Sequence, residues 1–215
     1  MDFAFAANVV NMMIALIFSL TFHEAAHAFM ARLHGDRTAQ REGRLTLNPV
    51  PHIDPVGTLL FPLIGAFLGG FIFGWAKPVP VDSRHFKNQK WGNILVAGIG
   101  PLANLLLSFL SLLVLIFIGD VQEGIMLAFS RLAKSMVFIN AILAVFNMIP
   151  VYPLDGGTIL YELLPRDLKR SYEEYIIPYG SFGLLALMLV GGFAWIGTLA
   201  NIWVKISHAI IAQFI

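Results

Sequence analysis

The chain has 215 residues, of which 58% are apolar and only 13% charged, with a net charge of +1 and no cysteine. Its mean hydropathy is +0.77. A soluble domain carries about 25% charged residues, and a core of this size could not hide so much apolar surface, so a soluble globule and a disordered chain are both excluded. The near-neutral charge without a long basic run excludes a nucleic-acid binder. The absence of cysteine excludes disulfides, iron–sulfur clusters and thiolate zinc sites.

Five stretches lack Asp, Glu, Lys and Arg for about the 20 residues that a spanning helix needs: Phe3–Phe22, Pro55–Ala76, Trp91–Gly119, Ser135–Leu154 and Tyr175–Val204. They predict an all-α polytopic membrane protein of about four to six transmembrane helices, in a single domain over 1–215. The first run has no basic residue before it and continues into His23 and Glu24, so it reads as a helix and not a signal peptide. Its continuation, His23-Glu24-Ala25-Ala26-His27, carries two imidazoles at i and i+4. These fall roughly 40° apart on one helical face and can share a metal, while the intervening Glu24 can take a proton from water. Ionisable groups at this depth cost several kcal/mol and mark function by default.

The second run is irregular: Pro55, Pro62, Gly57, Gly65, Gly69, Gly70 and Gly74 punctuate it. Arg32, Arg37, Arg41 and Arg44 precede it, and Lys77, Arg84, Lys87 and Lys90 follow. By the positive-inside rule both flanks face the cytoplasm. A re-entrant loop turning near Gly65–Gly70 satisfies that; a simple span does not. Lys77–Asp82 then predicts a short interfacial β segment. His52, just before the run, could approach the metal or position substrate, although a loop residue packed at the interface is the commoner outcome.

The third run holds Asn104 just after Gly100-Pro101, where helix–helix hydrogen bonding or a supporting contact is expected. The fourth ends in Asn147-Met-Ile-Pro-Val-Tyr-Pro-Leu-Asp-Gly-Gly157, a helix broken by Pro150 and Pro153 that presents Asp155. Of the thirteen acids only Glu24 and Asp155 lie at the inner edge of a long uncharged run, so Asp155 is the expected third ligand. A re-entrant second run also places Asp155 on the same side of the membrane as His27. The alternative is an Asp N-cap for the helix that follows. Residues 197–215 could lie along the interface or form a further short span.

Phe22-His-Glu-Ala-Ala-His27, Gly98-Ile-Gly-Pro-Leu-Ala-Asn104 and Phe146-Asn-Met-Ile-Pro-Val-Tyr-Pro-Leu-Asp-Gly-Gly157 together resemble the site-2 protease family of intramembrane zinc metalloproteases, in its compact bacterial-type branch without a PDZ or regulatory carboxy-terminal domain. The match runs from about 3 to 164; the carboxy-terminal helices, about 171–215, match less sharply. The resemblance implies one Zn2+ per chain held by His23, His27 and Asp155, Glu24 as catalytic base, and Asn147 and Pro153 along the substrate groove. It implies a single-span membrane protein or peptide as substrate, the bilayer as surroundings, a cell (prokaryotic inner) membrane location and a site towards the cytoplasm. A metal-ion or proton transporter using the same His/Glu/Asp cluster is the alternative.

Overall fold

A computed structural model describes residues 3–67, 74–119, 121, 123–192 and 194–214. Among the described residues nine α-helices follow in order: α1 Phe3–Leu33, α2 Thr38–Arg41, α3 Phe61–Phe67, α4 Gln89–Ile118, α5 Gly124–Asn147, α6 Asp155–Leu163, α7 Arg166–Ser171, α8 Ile177–Leu189 and α9 Ala194–Ile211. The fold is all-α and polytopic. Helices α1, α4, α5 and α9 are long and apolar enough to cross a bilayer.

The bundle is α1, α4, α5 and α9: α4 and α5 pack on each other, and each packs on both α1 and α9. Its joints are polar as well as apolar. Ser108 on α4 donates to Val137 O on α5 at 2.8 Å and accepts the Trp203 indole N–H from α9 at 3.2 Å. Beside it, Leu112, Val137 and Ile211 form a buried apolar cluster from the same three helices. In a bilayer the neighbouring lipid is as apolar as leucine, so such hydrogen bonds help to specify which helices pair.

The last uncharged run is not one helix. It divides at Gly191-Gly192 into α8 and α9, with Gly191 at φ +72°, a conformation that costs glycine nothing. Helix α9 then packs along α4 and α5, which answers whether this region lies flat or joins the bundle. The fourth run also begins earlier than the charge pattern predicts. Helix α5 starts at Gly124 and carries Arg131 and Lys134, both exposed, because long basic side chains reach outward while their stems stay on the helix.

The second run folds back on itself. Asp54 caps a π-helical turn, Pro55–Leu60, accepting from Val56 N–H and Gly57 N–H. That turn leads into α3; of the reversal expected near Gly65–Gly70, residues 65–67 continue α3 and 68–70 lie outside the described residues. Its two ends lie side by side: Trp75 N–H donates to Gly57 O at 3.2 Å, Thr58 Oγ1 to Trp75 O at 2.7 Å, and Lys77 N–H to His52 O at 2.9 Å. A helix spanning the hydrocarbon core would separate its ends by about 30 Å, so the segment is re-entrant.

The predicted β segment is a correction. The described residues contain no strand, and Lys77–Asp82 has no regular secondary structure. Pro78 and Pro80 have no N–H to offer a ladder. Three of the four remaining donors are drawn off elsewhere: Lys77 to the hairpin, Val79 to the Glu24 carboxylate at 2.8 Å, and Asp82 to Asp36 Oδ2 at 2.8 Å. The buried Arg44 guanidinium donates to Lys77 O and Pro78 O at 2.6 and 3.2 Å.

Candidate metal centre and its cleft

His23 and His27 lie one turn apart on the inner part of α1, both buried. Each ring has its Nδ1 fixed from α4: His23 to Asn104 Oδ1 at 2.7 Å and His27 to Val96 O at 2.6 Å. A carbonyl can only accept, so each Nδ1 carries a proton, and Nε2 is the ring nitrogen left to face inward as a ligand atom. Asn104 is fully buried, and its own amide nitrogen donates to Asn140 Oδ1 at 2.8 Å and to Ser19 O at 3.2 Å, which fixes its orientation. Asn140 in turn donates to Met136 O at 2.8 Å. A ladder of amides therefore runs from α5 through α4 to the His23 ring.

The third group comes from the break after α5. Asp155 is the first residue of α6 and not its N-cap; Leu154 holds that place and has no capping side chain. The carboxylate points at the imidazoles, with Oδ2 3.3 Å from His23 Nε2 and Oδ1 3.5 Å from His27 Nε2. The two Nε2 atoms are 3.0 Å apart. Among the described residues this is the group of three or more His, Cys, Asp or Glu whose donor atoms converge closely enough to hold a metal ion.

The donor set fits zinc. Two imidazole lone pairs and a carboxylate facing one point repel one another unless a cation lies among them. Bonds of about 2.0–2.1 Å to a tetrahedral zinc put neighbouring ligand atoms about 3.3 Å apart, which matches the observed 3.0, 3.3 and 3.5 Å. Asp155 Oδ2 is also a buried acceptor with no hydrogen-bond donor. Space for the rings depends on Gly100: a Cβ there would strike His27 Nε2 and come within 2.7 Å of His23 Cε1.

Glu24 is buried on the same turn, and its Oε2 accepts the Val79 N–H. It opens, with His23, onto a cleft of about 560 Å³. One wall is Leu20, Leu143, Phe146 and Asn147 from α1 and α5. The hairpin supplies Phe61 and Gly74–Ala76, then Pro78; the α5–α6 loop supplies Pro153 and Leu154; and α8 supplies Ser181, Leu184 and Leu185.

The structure thus brings His23, Glu24, His27 and Asp155 together, with Asn104 on a ring and Asn147 and Pro153 on the cleft wall. The Asn147 amide nitrogen donates to Leu143 O at 2.9 Å, so its oxygen is turned away from that helix bond. His52 does not join them. Its ring is buried in the loop before the hairpin, with Nε2 3.0 Å from Thr46 O, and it is neither a member of the converging group nor a lining residue of the cleft. Sequence reasoning missed Val79, Val96 and the α8 wall, and ranked Asn140 below Asn147, which lies seven residues on along the same helical face. Backbone groups carry no residue-type signal, and Asn140 is told apart from other buried asparagines only by its partner.

Comparison with known proteins agrees with this geometry. The model of peptidase family M50 matches residues 122–189, which contain the Asp155 loop. The "Putative zinc metalloprotease YwhC" of Bacillus subtilis is 35% identical over 196 residues, covering 84% of this chain and 86% of the relative. The "Putative zinc metalloprotease Rip2" of Mycolicibacterium smegmatis is 29% identical over 81% of this chain and 63% of its own length, and that of Mycobacterium tuberculosis 28% over 87% and 68%. No solved structure matches the chain. With a converging His, His and Asp group beside a glutamate on a membrane helix, and a relative of this similarity along most of both chains, the chain belongs to peptidase family M50, the site-2 protease family of zinc metalloproteases.

Proposed function

We propose that the chain is an intramembrane endopeptidase, hydrolysing a peptide bond in or beside a transmembrane segment of a membrane protein. In this reading His23, His27 and Asp155 hold one zinc ion and Glu24 is the base. The observation that carries it is the location of the converging group: it opens on a cleft walled by spanning helices and a re-entrant hairpin. Such irregular backbone is tolerated at membrane depth only where protein or a water-filled cavity covers it.

A zinc ion held there supplies a Lewis acid that polarises the scissile carbonyl and lowers the pKa of water towards 7. Glu24 accepts the proton of the attacking water and delivers it to the leaving amine. Its Oε2 is occupied by the Val79 N–H, which leaves Oε1 for the proton. The amide ladder behind His23 and Val96 O behind His27 hold both rings in the tautomer that keeps Nε2 free. A substrate helix has its carbonyls tied in its own hydrogen bonds, so it must unwind to react. Pairing of an unwound substrate along residues 77–82 would have to avoid the Lys77, Val79 and Asp82 N–H groups, each already bonded.

The same reading places the chain in a prokaryotic cell membrane with the site towards the cytoplasm, because bases cluster on both flanks of the hairpin. The chain has no cysteine, so a single Lys87→Cys variant gives a clean test: a membrane-impermeant thiol reagent should label it in inverted vesicles and spare it in intact cells. A transporter reading draws no support from relatives named metalloproteases. The decisive experiment measures zinc content and cleavage of a model single-span substrate together. Glu24→Gln should keep zinc and lose cleavage by about 10²–10⁴-fold. A wild-type chain that holds zinc but cleaves no membrane-embedded substrate would overturn the proposal.

A further inference from the structure

The loop that presents Asp155 has no capping side chain at the start of α6, yet its carboxylate must meet two fixed rings. Besides the packing of α6 on α4, a restraint comes from further along the chain. The Tyr172 hydroxyl accepts the Tyr152 N–H at 3.0 Å and donates to Gly157 O at 3.3 Å. These two residues flank Asp155 on either side. One oxygen atom therefore closes the loop across its mouth. The side chain is 6% exposed, and its ring packs on Tyr161 at 5.8 Å between centroids. Burial pushes the Tyr172 pKa above its ordinary 10.0, against a smaller opposing pull from the Tyr152 N–H, so the group stays protonated and able to donate.

A second contact comes from the same stretch. Tyr172 opens the π-helical turn Tyr172–Ile176 that leads into α8. On α8, Gly180 lies so close to Tyr152 O that an added Cβ would collide with it. The carboxy-terminal region thus touches the loop at Tyr152 twice, while supplying one wall of the cleft through Ser181, Leu184 and Leu185.

We propose that Tyr172 is a positioning residue for Asp155, its hydroxyl holding the ligand loop at the spacing the two imidazoles require. This rests on the zinc-site reading above. Metal-ligand supports of this kind are worth about ten- to a hundredfold in metal affinity when removed. The hydroxyl must both donate and accept, which phenylalanine cannot do while keeping the ring in place.

The test uses the full chain in detergent. Zinc affinity is measured by competition with a chromophoric chelator, and the visible spectrum is recorded after loading with Co2+. Tyr172→Phe should weaken zinc binding about ten- to a hundredfold and alter the Co2+ spectrum. Gly180→Ala, which pushes the same loop without touching the hydroxyl, should do both as well, and serves if Tyr172→Phe does not fold. Tyr161→Phe, at the ring neighbour, should behave as wild type. Wild-type affinity in both loop variants overturns the proposal. So does an equal loss in Tyr161→Phe, or a Co2+ spectrum unchanged in the weakened variants. If the wild-type chain binds zinc no better than His23→Ala, the zinc-site reading itself fails and takes the proposal with it; normal zinc in the wild type with normal zinc in Tyr172→Phe sinks the proposal alone.

Discussion

The two imidazoles and the carboxylate reach the same point by different means. His23 and His27 stand on a helix clasped by α4, each ring pinned through its Nδ1 to a group that cannot move without shifting the bundle. Asp155 opens α6, which also packs on α4, but the loop before it is tied by residues 172 and 180, on a stretch that shares no broad face with α1, α4 or α5. The cleft is divided in the same way, with one wall from α1 and α5 and the opposite walls from the hairpin and α8. A rigid half that holds the nitrogens, facing walls of hairpin and α8 with fewer ties to it, would admit a bulky peptide without disturbing the histidines.

That contrast can be broken most severely at Gly100. A methyl group there meets both imidazoles, and α4 cannot retreat without losing the Asn104 and Val96 contacts. Gly100→Ala should therefore abolish measurable zinc binding and cleavage while circular dichroism still reports a helical chain. If zinc and activity survive, the rigid half is less rigid than its hydrogen bonds imply.

A milder break lies one step further back. Asn140→Ala removes the acceptor of Asn104 and leaves a buried amide donor short of a partner. The cost should be about 1–3 kcal/mol of stability, with zinc affinity falling about tenfold or more as His23 loses its fixed orientation. Thermal unfolding with and without added zinc measures both. Equal stability in the variant would mean that the ladder does not support the ring.

On the looser side, Arg44→Gln should spare zinc and lower cleavage. Arg44 clamps Lys77 O and Pro78 O, and through Val79 this segment holds Glu24. The loss should be smaller than that of Glu24→Gln, because the base itself remains. Single-turnover cleavage together with metal content separates the two effects; zinc lost along with activity would assign Arg44 to the fold instead.

The smallest effect concerns acid. Burial alone would raise Asp36, but hydrogen bonds from the Thr38 hydroxyl, Asp82 N–H and Thr38 N–H, with His85 nearby, hold it below 3.8. Its folded pKa is depressed, so its stabilisation is complete above 3.8 and is lost as pH falls through the lower folded value. Below pH 3.8 the tie between α1's end and Asp82 should loosen in wild type, seen as faster amide exchange at Asp82, whereas Asp36→Asn should show that faster exchange already at neutral pH.

Much of the site is legible in residue types because the chemistry demands particular ones. Two histidines four apart, a glutamate between them and a lone aspartate at a broken helix are scarce in an apolar chain, and their rarity makes them stand out. The re-entrant hairpin is legible too, since bases on both flanks leave a span no consistent side. Lys77–Asp82 misleads for the opposite reason. Its alternation suits a strand, but three of its donors are taken by His52 O, Glu24 and Asp36, which lie far off in sequence. His52 meets the commoner expectation for it, a ring packed in the loop and turned to Thr46 O.

The sequence by itself determined that the chain is a membrane protein and which groups are candidates for its chemistry, because hydropathy, charge and helical spacing are local properties. Only the tertiary structure decided what holds those groups in place: Val96 O and Asn104 behind the rings, Val79 N–H on Glu24, α8 across the cleft and Tyr172 at the mouth of the Asp155 loop. Backbone carbonyls and amides are present at every residue but proline's missing N–H, so their use depends on which distant segment comes to lie beside them.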